Sequence, residues 1–167
     1  MGNTGITRSR KKTQLPVRAY RIGDRRYDLF DGEGAKRFGG RWNSQGNEVI
    51  YAALSQSGAM LETLANAGIG KFPKNSAMIV ISIPQSIYTK AETVDVKDQP
   101  SWDHINCIAS QQYGDDWITQ KRSALLLLPA VIAPHDSNLV INTLHPDFNQ
   151  ITASKPEVVQ WDRRLKK

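Results

Sequence analysis

The chain predicts an α+β domain built on a mixed, largely antiparallel sheet. Short runs of strand character outnumber helical patterns, and the two kinds do not alternate strictly, which disfavours a doubly wound parallel sheet. Pro84 and Pro129 close two of the strand runs. The 167 residues, 40% of them hydrophobic, suffice for one ordinary domain with a full core, and residues 15–162 contain neither a repeat nor an internal linker.

Residues 1–14 are polar and basic without periodicity, as expected of a disordered tail. Val17-Arg-Ala-Tyr-Arg-Ile22 alternates apolar and polar side chains and predicts a first strand. Gly32 to Gly46 reads as a long loop with one helical turn near Ala35 to Phe38. Glu48 to Ala53 predicts a second strand. Ser55 or Ser57 can cap a helix running to about Asn66, ended by Gly68 or Gly70. In that helix Leu54, Leu61, Leu64 and Ala65 would form the apolar stripe. Ala77 to Ile83 is apolar on both faces and predicts a central strand that Pro84 stops. Lys90 to Pro100 is expected to be loop. Trp102 to Gln112 and Asp115 to Lys121 read as two short helices broken at Gly114. Ala124 to Leu128 reads as a buried strand, with Pro129 and Pro134 confining the next segment to an edge or a bend. Asn138 to Asn142 predicts a short strand, His145 to Phe148 a turn, and Val158 to Trp161 a last edge strand.

Composition excludes several functional classes. No apolar run approaches the ~18 residues a membrane span needs. The opening segment lacks the apolar stretch of a secretion leader, and the single Cys107 allows no internal disulfide, so the expected compartment is a reducing cytoplasm. In its apolar context Cys107 reads as a buried small hydrophobe rather than a nucleophile. The net charge of +6 does not predict a nucleic-acid surface. Arg8, Arg10, Lys11, Lys12, Arg163, Arg164, Lys166 and Lys167 lie in the two tails, leaving 14 basic and 16 acidic residues between 15 and 162. His104, His135 and His145 have no ligand spacing, so no metal is expected. The nucleophile-elbow, phosphate-loop and dinucleotide fingerprints are all absent.

The stretch from Gly32 to Glu62 carries the chemistry. Gly32, Gly34, Gly39 and Gly40 allow close backbone approach to a ligand, and Arg41-Trp42-Asn43 follow at once. Arg41 can clamp a phosphate in a bidentate fork. Trp42 suits either stacking on a ring or anchoring the loop in the core. Tyr51, with small Ala52 and Ala53 beside it, can be cross-strand packing or one wall of a slot for a planar ring. Glu62 falls one turn after Gly58, on a small-residue face open to close approach, and Arg21 closes the first strand where it can enter a cleft. Two arginines, a tyrosine and a glutamate suit nicotinamide adenine dinucleotide (NAD) as substrate. The bond to nicotinamide breaks through an oxocarbenium-like ribose, which a carboxylate stabilises.

These residues are those by which the chain resembles the RES-domain toxins, a bacterial family named for Arg, Glu and Ser positions. The resemblance covers residues 17–161. It rests on Tyr20-Arg21, Gly32-x-Gly34-Ala35, Gly39-Gly-Arg-Trp-Asn43, Ile50-Tyr51-x-Ala53, Leu61-Glu62, Pro129 with Pro134, and Asn138-x-x-x-Asn142-x-x-His145-Pro-Asp-Phe148. It implies a fold similar to ADP-ribosyltransferase toxins, a split mixed β-core with flanking helices around an NAD cleft. It implies that NAD is consumed by hydrolysis or phosphorolysis, or that ADP-ribose is transferred to a protein. The family's active positions fall on Arg41, Tyr51 and Glu62, with Arg21, Gly40, Trp42 and Asn43 expected to help hold NAD. The implied partner is an Xre-like helix-turn-helix antitoxin that blocks the cleft in a hetero-oligomer and alone brings the complex to DNA. The family serine is missing: Ala130 follows Pro129 where the hydroxyl belongs. Ser55 and Ser123 are the nearest replacements by sequence. Without a replacement, a lost hydrogen bond of roughly 0.5–1.5 kcal/mol slows the reaction up to ~10-fold, and the chain could instead serve as a weakened toxin that mainly binds its antitoxin.

Overall fold

The computed structural model describes residues 14–68, 71–100, 102–103 and 107–165. The tail before Gln14, Gly70 as a helix end, His104, and Lys166 with Lys167 lie outside them. The core is one eight-stranded sheet: β1 (Val17–Asp24), β2 (Val49–Ala53), β3 (Ser76–Ile83), β4 (Glu92–Thr93), β5 (Leu125–Pro129), β6 (Ser137–Asn142), β7 (Thr152–Ala153) and β8 (Glu157–Val158). The order is β4-β5-β6-β2-β1-β3-β7, with β8 also on β3. Only β4 and β5 pair in parallel, so the sheet is mixed and largely antiparallel, as the sequence predicts.

The sheet buries both faces. On one, Ile50, Leu125, Leu139, Ile141, Ile79 and Ile81 pack against Leu29, Ile87 and Ile151. On the other, Val49, Leu126, Leu128 and Val140 pack against Trp42 and against Trp117 and Ile118 of a helix. Consecutive residues of β2, β5 and β6 go to opposite cores, as the two-residue strand period requires. The helices are α1 (Glu33–Phe38), α2 (Gln56–Ala67), α3 (Gln85–Tyr88) and α4 (Ile108–Gln120). Among the described residues, no helix is long and apolar enough to cross a membrane.

Several expectations change. The Lys90–Pro100 loop contains β4, recruited as an edge strand beside β5, and a 3-10 turn at Val96–Asp98. Pro84 ends β3 but also opens α3, where its missing N–H costs nothing. The two helices expected on either side of Gly114 are one continuous helix, α4. A glycine inside a helix costs ~1 kcal/mol relative to alanine, yet here a Cβ would collide with the Trp42 carbonyl, so no larger residue fits. The last strand ends at Val158, and Trp161 instead packs on Phe72 with ring centroids 5.7 Å apart. Cys107 is half-buried at the start of α4.

β1 and β2 pair in register at one position only, Tyr20 with Ala53. By contrast β1 follows β3 for eight residues and β2 follows β6 for five. Beyond Tyr20 and Ala53 the two strands part, and the sheet forks.

Candidate active site

A cleft of about 1050 Å³ opens at this fork. Arg21 and Ile22 line it from one arm, Tyr51 and Ala52 from the other. α2 adds Ala59, Glu62, Thr63 and Asn66, the Gly39–Trp42 turn adds Arg41, and Asn138 reaches it from β6. The structure thus brings Arg21, Gly40, Arg41, Tyr51 and Glu62 to one cavity, though they span 42 positions of sequence.

The glycine-rich turn is held from within and from behind. Gly39 takes a φ of 71°, in the region that favours glycine, and the Gly40 N–H donates to the Asn43 carbonyl at 2.9 Å. A Cβ on Gly40 would sit 2.5 Å from the Tyr51 hydroxyl, so the glycine lets the phenol lie against the turn. That hydroxyl donates to Asn43 Oδ1 at 2.7 Å and accepts from the Trp42 N–H at 3.0 Å. Burial pushes the Tyr51 phenol well above its ordinary pKa, against smaller opposing effects of the Trp42 N–H and the Arg41 charge. It is therefore a neutral hydrogen-bonding wall, unsuited to act as a base near neutral pH.

Behind the turn stands α4. Gln111 Nε2 donates to the Gly40 carbonyl at 2.9 Å, and Asp115 Oδ1 accepts from the Ser44 N–H and Asn47 Nδ2. Between them Gly114 admits the Trp42 carbonyl. Spacing of three and four puts all three residues on one helix face.

Two residues expected to hold a ligand are engaged within the protein. Asn43 is completely buried, lies outside the cleft lining, and spends its amide on the carbonyls of Ala35 and Asn47 and on Tyr51. It braces the turn. Trp42 borders the cleft but is 2% exposed, its ring packed edge-on to Tyr113 at 6.1 Å and beside Trp102 at 6.5 Å. Of its two sequence readings, anchoring is the one the packing fits, since little ring face is left for stacking.

Among the described residues, the charged groups of the lining are Arg21, Arg41 and Glu62. Arg41 Nη1 donates to the Trp102 carbonyl at 2.5 Å, and both residues line the cleft. Arg21 is half-buried, and its guanidinium has no hydrogen bond or ion pair with any described residue. Burial lowers its pKa, with Asp31 and Asp28 pulling the other way from a distance. A desolvated cation without a direct partner favours an anion beside it.

Glu62 reaches the cleft by a different route from the one its sequence context predicts. Leu61 and Ala65 are exposed, so the expected apolar stripe is not the buried face of α2; Gly58 and Ala59 are. The space beside Gly58 is also filled. A Cβ there would lie 2.8 Å from both Asp136 Oδ2 and Ser55 Oγ. Ser55 caps α2 by accepting from the Gly58 N–H at 2.9 Å and donates to Asp136 at 2.6 Å, which pins the helix start to the turn before β6. One turn on, Glu62 enters the cleft and its Oε1 accepts from Asn138 Nδ2 at 2.8 Å.

Ala130 is 2% exposed, follows β5 rather than lying on a sheet edge, and donates its N–H to the Asp136 carbonyl at 3.0 Å. Its neighbours Pro129 and Val131 line the cleft and it does not. Neither Ser55 nor Ser123 can replace a hydroxyl there. Ser55 is engaged with Asp136, and Ser123 is buried between Trp117 Nε1 and the Leu125 carbonyl. Among the described residues, the lining hydroxyls are those of Tyr20, Tyr51 and Thr63.

Sequence reasoning missed Thr63 and Asn66 in the lining and the Gln111–Gly114–Asp115 face behind the turn. The one available signal was Gly114 itself, since a glycine inside a helical pattern marks close backbone approach as well as a break. Among the described residues, no group of three or more His, Cys, Asp or Glu is arranged to hold a metal ion.

Comparison with known proteins agrees with this architecture. Residues 18–162 match the family model described as the RES domain. A protein named "Prs ADP-ribosylating toxin" from Sphingobium sp. (strain YBL2) is 38% identical over 140 residues, covering 83% of this chain and 87% of that protein. "Toxin Res" of Yersinia enterocolitica serotype O:8 is 34% identical over 152 residues, covering 88% of this chain and 98% of the relative. The crystal structure of the M. tuberculosis MbcT-MbcA toxin-antitoxin complex contains a chain that superposes with a TM-score of 0.67 at 20% identity, over 89% of this chain and 86% of that one.

Proposed function

The chain belongs to the RES-domain family, and from that premise we propose that it is the toxin of a toxin–antitoxin pair and acts by cleaving the nicotinamide–ribose bond of NAD. The observation that carries the proposal is the convergence of Arg21, Arg41, Tyr51 and Glu62 on the cleft at the sheet fork. Arg21 and Arg41 face the pyrophosphate, whose two charges suit two guanidinium groups. Tyr51, held neutral, walls the nicotinamide ribose end. Glu62 holds a ribose hydroxyl and offsets the positive charge that develops on the sugar.

The chemistry needs no general acid. As the C1′–N bond breaks, its electron pair neutralises the pyridinium nitrogen, and nicotinamide leaves uncharged. An oxygen nucleophile bonds to C1′; with water, the product is ADP-ribose and the proton passes to solvent. Phosphate would give ADP-ribose 1″-phosphate by the same displacement. A protein side chain as acceptor would give an ADP-ribosylated protein, a reading favoured by the name of the 38% identical relative. An Xre-like antitoxin is the proposed partner, seated over this cleft.

Incubating the antitoxin-free protein with NAD and following nicotinamide release tests the bond cleavage. Labelled NAD separates the acceptors by whether label stays on protein. Glu62→Gln is expected to lower turnover by at least ~100-fold with an unchanged fold. A well-folded Glu62→Gln with near-full turnover removes Glu62 from the mechanism. Absence of turnover in the unaltered chain, with no NAD binding, leaves antitoxin binding as its role.

A further inference from the structure

We infer that Asn138 is a positioning residue for Glu62, dividing the carboxylate into an anchored oxygen and a working one. The inference rests on the assignment of Glu62 to the reaction. Asn138 Nδ2 donates to Glu62 Oε1 at 2.8 Å, and Oε2 has no hydrogen-bond partner among the described residues. Both side chains line the cleft.

The two residues stand on very different mounts. Asn138 occupies a strand flanked on both sides, its backbone opposite Ala53 of β2 and Leu128 of β5. Glu62 stands on α2 next to exposed Leu61, at the end of a side chain with three rotatable bonds. A glutamate so placed samples several rotamers, and few of them present an oxygen at one fixed point. The amide of a rigid strand selects one. The arrangement is reinforced two residues earlier, where Asp136 accepts from Ser55 and fixes the start of the same helix. The short segment from Asp136 to Asn138 therefore sets both the origin of α2 and the orientation of its functional side chain. Asn is suited to this task because its N–H can only donate to Oε1. An acid here would repel the carboxylate, and a lysine or arginine would neutralise it and compete for Oε2.

Steady-state kinetics of NAD cleavage on three variants tests the inference. Asn138→Leu keeps the approximate shape and removes the donor. It is expected to lower kcat ~10–100-fold, the scale of a misplaced reacting group, with KM within about threefold and a melting temperature near that of the unaltered chain. Asn138→Gln, which restores an amide donor, is expected to recover most of the lost kcat. A role in packing alone would move stability and leave kcat of the folded fraction in place. Undiminished kcat in Asn138→Leu, or a kcat loss that only tracks a loss of folded protein, overturns the inference. Glu62→Gln runs alongside as the third variant. If it stays active, the assignment of Glu62 fails and this inference falls with it. If it is dead while Asn138→Leu is fully active, only the role of Asn138 is refuted.

Discussion

At the scale of single residues, the site is a set of side chains each held by an identifiable neighbour. Tyr51 is fixed by Asn43 and the Trp42 N–H, Glu62 by Asn138, and Arg41 by the Trp102 carbonyl. Arg21 alone of the charged lining lacks a direct partner among the described residues, which leaves it for the ligand. Ala130 stands one layer behind the wall. A hydroxyl added there faces protein, not substrate, so Ala130→Ser is expected to leave NAD turnover within about threefold and to cost up to ~1–3 kcal/mol if its oxygen finds no partner. Comparing initial rates and melting temperatures of the two forms decides the matter; a tenfold rise in rate would return the hydroxyl to the mechanism. Of the candidate residues, Arg41 and Tyr51 were legible in the sequence because each carries its chemistry in its side chain and sits beside glycines or alanines, whereas Arg21 and Glu62, flanked by larger residues, were legible mainly through the family resemblance. Asn43 and Trp42 were harder to place, since a polar or aromatic residue next to a glycine turn can face inward or outward, and only packing decides which.

At the scale of elements, α4 governs the turn that carries Arg41. Gly114→Ala forces a methyl into the Trp42 carbonyl, and overpacking of this kind costs ~1–3 kcal/mol. For a domain of this size each kcal/mol lowers the melting temperature by roughly 2–4 °C. Because the displaced segment holds Arg41, NAD affinity should fall with stability, measured by calorimetry on protein kept well below its transition. Loss of stability at unchanged affinity would mean that α4 supports the turn without steering it. The far end of α4 is tied to the sheet edge by Arg122, which stacks on Tyr113 at 5.1 Å and pairs with Glu92 at 2.8 Å, while Tyr113 also bonds Glu92. The Arg122 hydrogen bond, more than any other influence, holds the Glu92 carboxyl below its ordinary pKa. A depressed carboxyl contributes stability that is fully present above its unfolded value and is lost as pH falls through its folded one. The pair is a quarter or more exposed, so screening limits it to about 1 kcal/mol or less. Glu92→Gln is thus expected to melt a few degrees lower at neutral pH, with the gap closing as pH falls below the ordinary carboxylate range; an equal gap under both conditions would exclude the ion pair as its source.

At the scale of the whole molecule, the α+β class and the positions of β1, β2, β3, β5 and β6 were legible, because alternation and apolar runs report which faces are buried, whereas the two-residue β7 left no such run. Continuity across Gly114, the recruitment of Glu92–Thr93 and the pairing of β1 with β2 at a single rung were not. Each depends on what lies opposite, and one chain read in order carries no record of that. The single rung has a consequence for how the protein breathes. A sheet joined at one residue pair is two half-sheets on a pivot, one holding β1, β3, β7 and β8 and the other β2, β4, β5 and β6. Opening at the pivot breaks few hydrogen bonds, although it must loosen the core that Ile79 and Ile81 share with Ile50 and Leu139, so it should occur more often than global unfolding. Amide hydrogen exchange would then separate the chain into three rates. The β1–β3 and β2–β6 ladders should exchange slowly, each as its own cooperative block, and the amides of Arg21 to Gly23 and of Val49 to Ala52 that point into the fork should exchange fast. A molecule lodged in the fork bridges the halves in place of the absent rungs, and saturating NAD should slow those amides selectively. Uniform exchange across the fork, insensitive to NAD, would show instead that the two halves move as one plate.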